Sequence, residues 1–318
     1  MFIQDMDLKL QDWAFHQRKN LPYEAKLSLS ARRIRDWYEY HDGAVYVSFS
    51  GGLDSTVLVH MVRTVLKKQV PLVFVDTGLE YPQLKEFVSR FDDVEILRPE
   101  MSFKNVIKEF GYPLVSKETA SKIWKLRQGN LSDKYRNYLL HGDERGSFGK
   151  LAECWKFLID APFDTSEKCC HIMKRAPFRK YAKLTGRVPY IGITQDEGFR
   201  RQREYNRTGC NVYSAKEPKS QPLGFWRRQD ILRYVVENNL EICSVYGDIK
   251  EENGVYYNTG VNRTGCVFCA FGCHLEEEPN RYQRLRESDI KLYEFVMKPM
   301  SQGGLGFDYV LNYCNFKH

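Results

Sequence analysis

A chain of 318 residues that is 42% hydrophobic and 28% charged has enough apolar mass for a sizeable core and is too balanced to be a disordered or low-complexity polymer. No apolar stretch approaches membrane-spanning length, and residues 1–7 lack the basic start and apolar run of a signal peptide, so the expected compartment is cytoplasmic. A net charge of +7 suits an anionic partner without choosing among nucleotide, nucleic acid and sulfate, and nine cysteines in a reducing compartment point to metal or redox chemistry rather than disulfides.

Residues 1–43 read as a helical lead-in, where Ile34, Trp37 and Tyr38 share one face among Arg32, Arg33 and Arg35; covering one face of a sheet is its expected role. The rest of the chain is organised around residues 45–56. Val45, Val47 and Phe49 alternate as in a short buried strand, and residues 53–66 have helical periodicity. Between them lies Ser50-Gly51-Gly52-Leu53-Asp54-Ser55. A strand that restarts as a helix leaves backbone N–H groups unpaired at the helix start, and two residues without Cβ let a phosphate come close. Ser50 and Ser55 add hydroxyls, Ser48 precedes them, and Asp54 either caps the helix or faces a magnesium ion. The run lacks the Gly-Lys-Ser/Thr ending of a Walker loop, which argues against γ-phosphate transfer.

Residues 71–76 form a second apolar run ending in Asp76-Thr77-Gly78, residues 82–91 read as a helix and residues 94–97 as a third strand. Such alternation predicts an α/β class, a Rossmann-like parallel sheet flanked by helices, with ligands at the carboxyl ends of the strands. That rule puts residues 50–55 and 76–78 on one rim, although Asp76 also suits a plain turn. The nucleotide-binding domain is expected over 44–116 and 166–240. Between them, 117–165 reads as a helical insertion in which Lys125, Arg127, Lys134 and Arg136 interleave with Tyr135 and Tyr138, either as a nucleic-acid surface or as a solvated face over an aromatic core. Residues 188–193 form a further strand; Arg200 and Arg201 beyond it suit the charge of a triphosphate or a leaving pyrophosphate. Residues 222–238, with Arg227 and Arg228, read as a packing and orienting segment that opens a helix.

The last part, 241–318, is a cysteine-rich segment. Cys266 and Cys269 form a Cys-x-x-Cys turn, and Cys169-Cys170 supplies a second pair far away in sequence. Two pairs make a four-cysteine site, and adjacent cysteines favour a 4Fe-4S cluster over a tetrahedral zinc knuckle. Cys273 is an alternative ligand, and three ligands with an open iron is another arrangement. Cys154, Cys210 and Cys243 read as free buried thiols.

The Ser-Gly-Gly-x-Asp-Ser loop, the Asp76-Thr77-Gly78 turn, the tandem Cys169-Cys170 and the Cys266/Cys269 pair together resemble the phosphoadenosine phosphosulfate (PAPS) reductase family within the PP-loop ATP-pyrophosphatase superfamily. Two features depart from its sulfonucleotide reductases: the phosphate loop is intact, and the chain ends around Cys314 without their Glu-Cys-Gly-Leu/Ile-His motif. The combination is similar to the sulfur-transfer enzymes of DNA phosphorothioation and some tRNA thiolases. The resemblance implies that ATP and Mg2+ are used to adenylate an acceptor, with pyrophosphate released. A 4Fe-4S cluster then supports sulfur transfer, with nucleic acid, DNA or tRNA, as the implied acceptor. It further implies a cysteine desulfurase or other sulfur donor and a homodimer or multi-subunit complex. The alternatives are a PAPS or adenylyl-sulfate reductase releasing sulfite, and a non-catalytic nucleotide-binding subunit.

Overall fold

The computed structural model describes residues 12–146, 148–194, 199–213 and 216–318. Its strands in chain order are Val45–Ser48 (β1), Leu72–Val75 (β2), Val94–Leu97 (β3), Leu114–Val115 (β4), Val188–Ile191 (β5), Asn211–Val212 (β6), Lys219–Ser220 (β7), Ile249–Glu252 (β8), Val255–Asn258 (β9) and Ala270–Phe271 (β10). Two compact units emerge. One comprises residues 1–76, 80–97 and 178–264, the other residues 77–79, 98–177 and 265–318. These breaks lie elsewhere than the changes of sequence pattern near 116, 165 and 240.

The first unit is built on a six-stranded sheet in the order β3-β2-β1-β5-β7-β6, parallel throughout except for the β6–β7 pair. A parallel sheet covered on both faces needs strands apolar on both sides. β1 meets this need: Val45 and Val47 enter the main core, while Tyr46 packs with Val73 and Tyr181 on the other face. The helix Tyr23–Tyr40 buries Ile34 and Trp37 completely and accepts a 2.7 Å hydrogen bond at the Ile34 carbonyl from Tyr190 in β5, so this part of the lead-in covers the sheet, while residues 1–11 lie outside the described residues. The segment around Trp226 holds that helix in place. Trp226 Nε1 donates to Ser30 Oγ at 2.9 Å, and Lys26 pairs with Asp230 at 2.5 Å in a largely buried setting.

The second unit is mainly helical. Its helices include Phe103–Phe110, Lys117–Gln128, Asp133–His141, Arg281–Ser288, Ile290–Met297 and Phe307–Tyr313, with the short parallel pair β4–β10. Phe307 is its aromatic hub, with Tyr112 edge-on at 5.3 Å and Tyr282 at 6.0 Å. Arg127 does not present its charge outward as a surface cation would. Its guanidinium donates to the carbonyls of Ile159 at 3.0 Å and Ala161 at 2.8 Å and pairs with Asp164 at 2.8 Å, stitching the insertion together. No described helix is long and apolar enough to cross a membrane.

Candidate functional site

β1 lies between β2 and β5, so the chain runs one way across the sheet through β2 and β3 and the other way through β5 and β7. The carboxyl end of β1 is therefore the topological switch point, where open α/β sheets bind ligands. Residues 50–55 stand there, and the helix Leu53–Leu66 begins inside the loop. Gly51 has φ 71°, a conformation that favours glycine, and a Cβ on it would sit tightly, 3.0 Å from Val88 Cγ2.

Ser50 and Ser55 brace the loop. Their hydroxyls are 3.0 Å apart, Ser55 Oγ donates to the Gly52 carbonyl at 2.9 Å and accepts from Ser50 N at 3.2 Å. Ser55 is buried, so its hydroxyl shapes the turn from within. Ser48 sits in the strand opposite Val73 and Ile191. The Gly52 amide donates to Ser50 Oγ at 3.3 Å and the Leu53 amide to the Tyr246 hydroxyl at 3.3 Å. That hydroxyl lies 2.7 Å from Thr264 Oγ1. The Gly52 and Leu53 amides, expected to be unpaired, are thus taken up by Ser50 and Tyr246, so the rim that would meet a phosphate presents chiefly the hydroxyls of Ser50, Tyr246 and Thr264.

Asp54 is the anomalous group. Its side chain is only 19% exposed, and burial pushes its carboxyl pKa up, opposed first by Arg228 and then by Thr194, Arg263 and Arg201. Thr194 donates to Oδ2 at 3.3 Å, whereas Oδ1 is sealed from solvent with no hydrogen-bond partner and has Arg228 Nη1 at 4.0 Å. A buried carboxylate oxygen without a donor is rare, and a divalent cation that prefers oxygen ligands fits it. Behind Asp54, a Cβ on Gly192 would meet the Ser55 Cα at 2.9 Å and the Asp54 carbonyl at 3.0 Å, so β5 leaves the sheet directly against the loop.

Arg201, on the helix Phe199–Thr208, is near enough to act on Asp54; the Arg200 side chain lies outside the described residues. Asp76 pairs with Lys85 at 2.6 Å at the end of β2. Thr77 and Gly78 fall among the second unit's residues, where Thr77 Oγ1 accepts from Leu79 N at 3.2 Å and Gly78, at φ 76°, faces open space. Sequence reading misses Gly192, Thr194, Arg228, Tyr246 and Thr264 as site residues. The Gly192-Ile193-Thr194 run just after a strand is a usable signal, and Arg228 reads as packing only. Tyr246 and Thr264 reach the loop across some two hundred residues, and no local pattern marks them.

The four expected cysteines do come together, within the second unit. Cys169, Cys170, Cys266 and Cys269 line one small pocket of about 20 Å³ with apolar neighbours including Leu79 and Phe103. Cys169 and Cys170 lie on the turn Lys168–Cys170, and the Cys269 amide closes the other turn on the Cys266 carbonyl at 3.1 Å. A hydrogen bond from Cys169, helped by Lys117 and Lys174, lowers Cys170, while that bond and burial push Cys169 far up. Burial and neighbouring Cys266 raise Cys269 to about 12. Soft sulfur donors without carboxylates suit an iron–sulfur centre in kind. Among the described residues, however, no group of three or more His, Cys, Asp or Glu side chains is arranged to hold a metal ion. Cys273 is buried but does not line the pocket. Cys210 and Cys243 are buried free thiols as expected; Cys154 is exposed instead, on the short turn Glu153–Ile159.

A doubly wound parallel sheet with a Ser-Gly-Gly-x-Asp-Ser loop at its switch point defines a nucleotide-binding α/β protein of the PP-loop type. The family model for the phosphoadenosine phosphosulfate reductase domain matches residues 44–272, and the chain belongs to that family. An uncharacterised protein of Methanocaldococcus jannaschii is 25% identical over 239 residues, covering 74% of this chain but only 38% of its own length. Adenosine 5'-phosphosulfate reductase 1 of Bacillus subtilis is 21% identical over 86% of this chain and 92% of that protein. Among solved structures, the PAPS reductase of Candida auris in a phosphate complex aligns with TM-score 0.40 at 17% identity, covering 78% of this chain and 99% of the other.

Proposed function

We propose that this chain is an ATP-pyrophosphatase that adenylates an acceptor and supports its sulfuration, with nucleic acid as the acceptor. The observation that carries the reading is the intact phosphate loop at the switch point, with the buried Oδ1 of Asp54, which receives no hydrogen bond, beside it. The loop amides and hydroxyls bind the β- and γ-phosphates, and Arg201, Arg228 and Arg263, all close enough to act on Asp54, offset the charge that develops on the leaving pyrophosphate. An acceptor oxygen attacks the α-phosphorus, the bond to the bridging oxygen breaks, and the acceptor carries AMP. A sulfur nucleophile, derived from a cysteine desulfurase or other donor, then displaces AMP together with the acceptor oxygen. Magnesium, held by Asp54, would supply charge neutralisation at the phosphates. Cys169, Cys170, Cys266 and Cys269 would hold a 4Fe-4S cluster, which when bound supplies sulfur or electron chemistry.

Pyrophosphate release from ATP by anaerobically purified protein, with and without DNA or tRNA, tests this reading. Release stimulated by one nucleic acid is the expected result. A second reading, reduction of a sulfonucleotide, draws on the likeness to the Bacillus subtilis reductase over nearly all of that protein. Sulfite formed from PAPS or adenylyl sulfate, with no pyrophosphate from ATP, would establish it instead.

A further inference from the structure

The helix Asp133–His141 has an unusual surface for a helix in a folded unit. Residues 132–138 are all exposed, and Leu139 is its buried residue. Two of the exposed residues are tyrosines, Tyr135 at 38% and Tyr138 at 37% exposure, whose rings lie within 14° of parallel with centroids 6.2 Å apart. Rings more than a third exposed on a one-turn spacing forgo part of their apolar burial, and here the fold fixes one of them in place. Gly149 has φ 87°, and a Cβ on it would stand 2.0 Å from Tyr138 Cζ, so the loop after the helix packs its bare backbone against that ring. The loop is tied back by the Leu151 amide to the Leu139 carbonyl at 2.7 Å and by the Gly142 amide to the Tyr138 carbonyl at 2.9 Å.

Basic side chains flank the rings. Lys125 Nζ donates to the Tyr135 hydroxyl at 3.2 Å and sits 5.6 Å from its ring centroid. Lys134 and Arg136 flank Tyr135 on the same helix, where Asp133 is the single carboxylate. Arg136 gives one N–H to the Leu126 carbonyl at 3.2 Å, which anchors its guanidinium beside the tyrosines. Rigid exposed rings that can each stack on a base, with cations spaced to meet a phosphate backbone, are what sequence-tolerant binding of unpaired nucleotides requires. A duplex keeps its base faces stacked on one another and offers these rings nothing.

We propose that Tyr135 and Tyr138, with Lys125, Lys134 and Arg136, form a stacking platform for single-stranded nucleic acid. The proposal rests on the reading of nucleic acid as the acceptor and adds to it the form of that acceptor and the surface that grips it.

The test uses the full chain and fluorescein-labelled oligo(dT), oligo(U) and a DNA duplex, each of about 12 nucleotides or base pairs, a length within the range of single-strand site sizes, read by fluorescence anisotropy. Both single strands should bind more tightly than the duplex; a preference between them identifies the natural polymer. Tyr135→Ala and Tyr138→Ala should each weaken single-strand binding about tenfold, equivalent to about 1.4 kcal/mol, and Tyr135→Phe should bind like the wild type. Tyr135 has no packing role against Gly149, so its variants keep the test informative should Tyr138→Ala unfold the insertion. Basal pyrophosphate release from ATP should be unchanged in the Tyr135 variants. Single-strand binding that both alanine variants leave intact overturns the platform while the acceptor reading stands. Binding that the variants abolish, in a protein whose pyrophosphate release no nucleic acid stimulates, upholds the platform and overturns the acceptor reading. Preference for duplex, or no binding of either single strand, overturns the platform outright.

Discussion

The phosphate loop and the cysteine pocket are built in opposite ways. The loop is made almost wholly from one hexapeptide, and its hydroxyls and amides bond to one another or to Tyr246, so its shape is fixed by many weak local bonds. The pocket draws two pairs of thiols from segments about a hundred residues apart into largely apolar surroundings, where they perturb each other's ionisation. Local redundancy makes the first site robust to the loss of any one brace. The second depends on each of its contributors.

That contrast can be broken by substitution. The largest effect should come from Asp54→Ala, which removes the carboxylate without touching the pocket: pyrophosphate release should fall by about a hundredfold or more, the scale of losing a key electrostatic group, while iron content stays constant. A fully active variant would take Asp54 out of the chemistry. Cys266→Ser should do the reverse, abolishing the brown colour and iron of anaerobically purified protein while basal pyrophosphate release persists; unchanged iron would remove Cys266 from any cluster. Arg228→Ala should weaken ATP binding by about tenfold in calorimetry, in keeping with the loss of one charge-assisted contact, with Arg228→Lys falling between the two.

The smallest expected effect has the opposite sign. Folding raises the Asp54 carboxyl above its unfolded value near 3.8, so the folded state binds a proton more readily there. Its contribution to stability is greatest below that unfolded value and is lost as pH rises through the folded one, leaving a destabilising carboxylate at neutral pH. Asp54→Asn should therefore raise the melting temperature by roughly 2–4 °C at pH 7, about 1 kcal/mol for a domain of this size, and the gain should vanish in acid. A lowered melting temperature at pH 7 would mean that Arg228 and its neighbours more than compensate the buried charge.

The same contrast governs how much of the molecule is legible in the sequence. The strand Val45–Ser48, the loop and the helix after it are specified by neighbours in the chain, so periodicity and two glycines suffice to locate them. The pairing of Cys169-Cys170 with Cys266 and Cys269 is legible because cysteine chemistry is specific enough to link distant segments. Tyr246, Thr264 and Arg228 are not legible as site residues, because their roles come from tertiary approach to the loop. The charge of Arg127 misleads, since a guanidinium among lysines looks like surface until its carbonyl partners are seen.

Gly192 has a consequence for how a nucleotide is received. With the backbone of β5 pressed against Asp54 and Ser55 more closely than a methyl group would allow, the floor of the loop has no slack. The entropy of arranging those amides is lost once, when the sheet forms, and not again each time a ligand arrives.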